Sequence, residues 1–150
     1  MIRNYLSNRC VLSLWTVTKP GGVLTGGAVA SFLYVQMRGR ESPERCFSVF
    51  FLAATARAMD HDAAIAFTQT GLSIFEPGLA RSIPALGHDG KTLADLIDMA
   101  VAQDVKLLAC RLSLPMVQVD PLTVDWPLRW IGAADLHEAM LAADRVMYLS

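Results

Sequence analysis

The stretch Val105-Lys106-Leu107-Leu108-Ala109-Cys110, followed by Arg111-Leu112-Ser113-Leu114-Pro115-Met116, decides how this chain is read. The first part is short, apolar and rich in branched side chains, the pattern of a buried strand. The second part mixes polar and apolar residues and holds a proline, the pattern of a loop. A cysteine therefore stands at the carboxyl end of a strand. In open α/β sheets that end is where ligands and reacting groups gather. A thiol placed there has two readings. It is a small hydrophobe completing a core, or it is a nucleophile.

Working outward from this strand, strands alternate with helices. Ser31–Met37 reads as a first strand. Ser42-Pro43-Glu44 starts a helix, with Phe47, Phe50, Phe51, Ala54 and Ala58 inward and an end near Met59. Ala63–Thr68 reads as a second strand. Gly71–Phe75 fits a short helix stopped by Pro77-Gly78. Thr92 with Asp95 three residues on forms a near capping box for a helix that buries Leu93, Leu96, Ile97, Ala100 and Val101. After the Val105–Ala109 strand, Pro115, Pro121 and Pro127 break up a long loop with room for one helical turn. Leu128–Ile131 is a fourth strand. Ala133–Ala143 is a helix with Leu136, Met140 and Ala143 inward, and Val146–Leu149 is a fifth strand. This order implies a three-layer α/β fold: a parallel sheet of about five strands with helices on both faces, joined by right-handed crossovers.

Composition agrees. Hydrophobic residues are 53% of the 150 without counting glycine, against roughly 45–50% with glycine in ordinary soluble domains. Strands covered on both faces, together with a subunit interface, account for the excess. The net charge is -1 and the basic residues are scattered, which disfavours direct nucleic-acid binding. No apolar run reaches the ~18 residues of a membrane span. The cysteines, Cys10, Cys46 and Cys110, are odd in number and widely spaced. That suits neither a zinc site nor a disulfide scaffold and favours a reducing compartment. No pair of ligand residues has a metal-site spacing, and no metal or cofactor is expected.

Residues 1–30 carry a faint secretory pattern: Arg3 and Arg9, the apolar stretch Cys10–Val17, and Ala28-Val29-Ala30. Lys19-Pro20-Gly21-Gly22 interrupts it, so the segment is read as an extension or as an edge element used in assembly. The domain proper is 31–150.

Other residues offer competing chemistry. Cys46, beside the inward Phe47 and Phe50, reads as structural. Ala85–Thr92 fits a relaxed phosphate loop with a helix after it. The preceding strand is poor, however, and no later strand supplies a magnesium-organising Asp. His61, between Asp60 and Asp62, reads as a solvated turn residue. His137 reads as exposed, and His88 lies in a loop that can approach Cys110. Backbone N–H groups of the following turn, that turn as a helical terminus, or Arg111 can stabilise a Cys110 thiolate, and the sequence does not choose among them. Trp126 and Trp130 read as packing residues.

Leu107-Leu108-Ala109-Cys110-Arg111-Leu112-Ser113-Leu114 resembles the signature of the DsrE/DsrF-like family, a strand ending in cysteine followed by polar, apolar and serine positions. Thr68-Gln69-Thr70-Gly71-Leu72 is similar to the family's turn after strand two. Ile131-Gly132-Ala133-Ala134-Asp135-Leu136 is similar to its closing turn and last helix. The resemblance implies a flavodoxin-like domain that forms trimers or hexamers in the cytoplasm. It implies a sulfur-relay role, in which one cysteine accepts sulfane sulfur as a persulfide from a donor protein and passes it to an acceptor protein's thiol. Carried onto this sequence, that role falls on Cys110, with Arg111, Ser113, Gly71 and His88 as candidate supporting residues. Leu107 stands where a peroxidatic site keeps Thr, so peroxide reduction is discounted. Pro115 and Gln118 depart from the family's usual acid and glycine, and no second cysteine lies near Cys110. The alternatives are a non-catalytic oligomer subunit with an inert Cys110, and a small nucleotide- or anion-binding regulatory module using Gly87–Thr92.

Overall fold

Five apolar segments pair in parallel to build the protein. The computed structural model describes residues 29–150 other than Leu86, His88 and Asp89. The strands are β1 (Ser31–Gln36), β2 (Asp62–Phe67), β3 (Lys106–Cys110), β4 (Leu128–Ile131) and β5 (Arg145–Leu149). They form one five-stranded sheet in the order β4-β3-β2-β1-β5, and every pairing is parallel. The helices are α1 (Phe47–Ala58), α2 (Leu79–Ser82), α3 (Leu93–Ala102) and α4 (Ala133–Ala142). Short 3-10 turns run over Pro43–Arg45, Gln69–Phe75 and Arg111–Met116. The expected flavodoxin-like three-layer architecture is the one found.

Handedness explains where the helices lie. From β1 to β4 the chain steps across the sheet in one direction, so right-handed crossovers put every connection on one face. From β4 it returns past β1 to add β5, and the same handedness puts α4 on the opposite face. Two cores result. Ile65, Phe67, Leu107 and Ala109 pack with Phe50 of α1 and with Leu93 and Ile97 of α3. Leu33, Val35, Ala64, Ala66, Leu108 and Ile131 pack with Ala139 of α4. In β2, Ala63, Ile65 and Phe67 face the first core while Ala64 and Ala66 face the second. A strand buried on both sides needs no polar alternation, which is why it reads as a continuous apolar run.

Several details differ from the expectations. The buried face of α1 is Phe47, Val49, Phe50, Ala53, Ala54 and Ala56. Phe51 is only half-buried and Ala58 is exposed. The segment FSVFFLAATARA is apolar nearly all round, so spacing alone could not fix its rotation. The 3-10 turn over Pro43–Arg45 precedes α1 and delays its start to Phe47. The α2 turn after Pro77-Gly78 was not anticipated. On α4 the fully buried residue is Ala139, with Leu136, Met140 and Ala143 only partly covered. His61 is not a free surface residue: its Nδ1 accepts the Ala30 N–H at 3.2 Å, and its ring lies 5.5 Å from that of Phe32. Residues 1–28, Cys10 among them, lie outside the described residues.

Candidate functional site

Cys110 is the last residue of β3 and pairs in register with Ile131, the last residue of β4. The connection leaving β3 runs on the α1/α3 side, where Leu114, Val117, Val119 and Trp126 join the first core. The connection leaving β4 is α4, on the other side. The two chains therefore depart to opposite faces between these strands. In the order β4-β3-β2-β1-β5 the strand order reverses between β1 and β5, so Cys110 stands at the carboxyl edge of the sheet but not at that reversal. Alternation along β3 sets the direction of the thiol. Leu107 and Ala109 face the first core and Leu108 the second, so Cys110 leans toward the α4 side.

The residue is only 6% exposed. It immediately precedes the Arg111–Met116 turn, and no side-chain hydrogen bond caps that turn. Arg111 is exposed at the start of the turn, whereas Ser113 is buried, at 3%. The Ser113 hydroxyl oxygen accepts the Gln69 backbone N–H at 2.7 Å. This bond ties the turn after β3 to the turn after β2. Gln69 is held at φ 51°, in the left-handed region that residues other than glycine rarely enter.

A second tie lies further along the same two connections. Glu76 accepts from the Gln118 N–H at 2.9 Å and from Arg40 at 3.0 and 3.1 Å, joining the segments after β1, β2 and β3. The sequence carried no signal for Gln69 or Glu76. Left-handed positions are usually announced by Gly, Asn or Asp, and a lone acid before Pro77-Gly78 reads as an ordinary loop residue.

The other candidates fall into place around this site. Gly71 is buried against β1. Its N–H donates to the carbonyls of Met37 and Thr68 at 3.0 and 2.9 Å, and a Cβ there would strike the Gln36 carbonyl. It is a packing residue that lets the turn after β2 close on β1. His88 lies outside the described residues, so no contact with Cys110 is assigned to it. Among the described residues, no group of three or more His, Cys, Asp or Glu side chains could hold a metal.

Cys46 is fully buried beside the start of α1. Its Sγ–H lies 3.5 Å from the Arg38 carbonyl, and Gln36 Nε2 approaches the sulfur at 3.9 Å. Burial, and then the nearby Glu41 and Glu44 carboxylates, push this thiol up to about 12. It is a structural, un-ionised group.

Of the stretch read as a relaxed phosphate loop, Leu86, His88 and Asp89 lie outside the described residues, and its two ends are drawn together. Pro84 and Thr92 bridge in antiparallel fashion, and Ala85 N–H donates to the Lys91 carbonyl at 2.8 Å. At the start of α3 the Asp95 carboxylate accepts the Thr92 N–H at 2.7 Å and the Thr92 hydroxyl at 2.8 Å. The chain's own anion takes donors that a phosphate would need. A separate hollow of about 220 Å³ lies between Phe75, Pro77, Arg81 and Trp126. Arg81 fills part of its rim, with its guanidinium 5.8 Å from the Trp126 ring centre and 3.2 Å from Asp125.

The model of the DsrE/DsrF-like family matches residues 30–149. The chain belongs to the DsrE/DsrF-like family. Among solved structures, the crystal structure of the YchN protein from E. coli is similar, at a TM-score of 0.64 and 15% identity. The match covers 80% of this chain and 99% of that one. At such identity the likeness shows the fold. No curated protein sequence matches. Within the family fold, the strand-end cysteine of this chain is Cys110. Among the described residues, no helix is long and apolar enough to cross a membrane.

Proposed function

We propose that this DsrE/DsrF-like protein is a sulfur-relay protein in which Cys110 carries sulfane sulfur between two partner proteins. The observation that carries this reading is the placement of Cys110 at the carboxyl end of β3, in register with Ile131 at the end of β4. Family membership over residues 30–149 supports it. The Cys110 thiolate attacks the outer sulfur of a donor persulfide. The donor's S–S bond breaks, the donor leaves as a thiolate, and Cys110 becomes the persulfide. An acceptor thiolate then attacks the outer sulfur of Cys110, and the Cys110 thiolate is regenerated. Both steps are thiol–disulfide exchanges without net oxidation, so neither metal nor resolving cysteine is required. In this reading residues 31–150 are the working domain, residues 1–30 are an extension, and the protein works in the cytoplasm as a trimer or hexamer. Leu112, Met116 and Leu122, exposed on the connection that begins at Cys110, offer apolar surface for a neighbour.

Mass spectrometry after incubation with a persulfide-bearing sulfurtransferase tests the proposal. The expected result is a gain of about 32 Da, one sulfur atom, on the peptide holding Cys110, removed by an acceptor thiol and absent from Cys110→Ser. The low exposure of Cys110 favours one competing reading, a subunit in which the thiol is inert. Loading of sulfur elsewhere, or not at all, would establish that reading instead.

A further inference from the structure

Among the described residues, β5 pairs on one side only, with β1. The backbone shows which of its polar groups are left over. The Leu149 carbonyl accepts the Met37 N–H at 3.0 Å. A strand residue turns its N–H and C=O to the same side, and that side alternates along the chain. Arg145, Met147 and Leu149 therefore bond to β1, while Val146 and Tyr148 aim theirs outward. The side chains here are apolar and thinly covered: Tyr148 is 61% exposed, and Val146, Met147 and Leu149 are only partly buried. Such an edge pairs readily with a strand in reach.

The chain enters β1 beside this edge. Ser31, at the start of β1, is fastened to Asp144, just before β5, by bonds of 2.8 and 2.9 Å. At ~4.8 Å per strand, a strand added outside β5 lies about 10 Å from β1, against about 19 Å for one outside β4. The residues Thr18–Val29 reach up to ~40 Å and so span the nearer distance with slack. Before them, Cys10–Val17 carries Val11, Leu12, Leu14, Trp15, Thr16 and Val17 and no charge, the composition of a strand apolar on both faces. The edge offers apolar neighbours on both faces as well. Met147 and Leu149 lie toward the α1 side, and Val146 and Tyr148 toward α4. Parallel addition needs a crossover, usually helical, whereas Thr18–Val29 holds Pro20, Gly21, Gly22, Gly26 and Gly27, which suit a turn. An antiparallel edge on an otherwise parallel sheet is common.

We propose that Cys10–Val17, outside the described residues, closes the open edge of β5 as a sixth, antiparallel strand, with Cys10 toward Leu149 and Val17 toward Arg145. The tether favours this segment over a second copy of the chain, because it sets an effective concentration in the millimolar range.

Exchange of single amides, followed by nuclear magnetic resonance in the full chain, tests the closure. The Val146 and Tyr148 amides are expected to exchange slowly, like those of Met147 and Leu149. Leu14→Pro puts a residue without an N–H in the middle of the segment. It speeds exchange at Val146 and Tyr148 by about tenfold, the factor that one hydrogen bond of ordinary strength sets, and leaves Met147 and Leu149 unchanged. Leu14→Val keeps the slow rates. Fast exchange at Val146 and Tyr148 in the wild type would overturn the proposal. Slow exchange that survives Leu14→Pro would overturn it too, and protection that grows with protein concentration would name a second copy as the occupant instead. Should Leu14→Pro loosen all four amides or fail to fold, the wild type decides alone. Nuclear Overhauser contacts from Cys10–Val17 to Val146 or Tyr148 support the strand, and their absence overturns it. No sulfur chemistry enters, so the outcome is independent of the relay reading.

Discussion

Cys46 and Cys110 are both buried, but Cys46 is held as an un-ionised donor beside the Arg38 carbonyl while Cys110 ends β3 in register with Ile131 of β4. For Cys46 the folded value is raised above the ordinary thiol value of 9.0 to about 12. The unfolded chain therefore releases this proton first as pH rises. The stability that Cys46 contributes is complete below about pH 9 and is lost between there and its folded value. Urea titrations of the wild type and Cys46→Ala should differ by about 1 kcal/mol or more at neutral pH, for the packing lost, and should converge as the solution becomes alkaline. Gly71 offers a second prediction at this scale. A methyl at that position meets the Gln36 carbonyl, which the sheet holds in place. Gly71→Ala should cost about 1–3 kcal/mol in urea unfolding, the usual range for overpacking. A neutral result would mean that the turn has room the geometry denies.

At the scale of elements, α3 shows how a local signal resolves a functional question. Thr92 and Asp95 were readable as a cap, and the structure closes both bonds. These bonds, first from the Thr92 N–H and then from its hydroxyl, hold the Asp95 carboxyl below the usual range. The cap is present above about pH 4 and weakens as acid protonates Asp95 through its lowered value. Asp95→Ala should lower hydrogen-exchange protection in the first turn of α3 and leave phosphate binding, measured by calorimetry, at zero in both proteins. Heat of phosphate binding to the wild type at Gly87–Thr92 would revive the anion-module reading. The ends of β3 and β4, the cap of α3 and the strand-end cysteine were all legible, since each rests on neighbouring residues. The rotation of α1, the left-handed Gln69 and the loop-joining Glu76 were not, since each depends on what another segment brings to meet it.

Among the described residues, the sheet is covered unevenly, with three helices on one face and α4 alone on the other. Small residues make that single cover fit: Ala139 is fully buried and joins Ala64 and Ala66 in one core. Ala139→Leu should destabilise by about 1–3 kcal/mol, while Ala142→Leu on the exposed side of the same helix should be nearly neutral; thermal melts of the pair measure the contrast. The sheet order also bears on synthesis. β1 sits between β2 and β5, and its start is fastened to the start of β5 by Ser31 and Asp144, 113 positions apart. On the ribosome β1 is made first of the five and its β5 partner last. At translation rates of roughly 5–20 residues per second, one side of β1 goes unpaired for on the order of 6–20 s. A strand of Phe, Leu, Tyr and Val with a free edge is a template for pairing with other nascent chains. The protein is thus exposed to aggregation chiefly while it is being made.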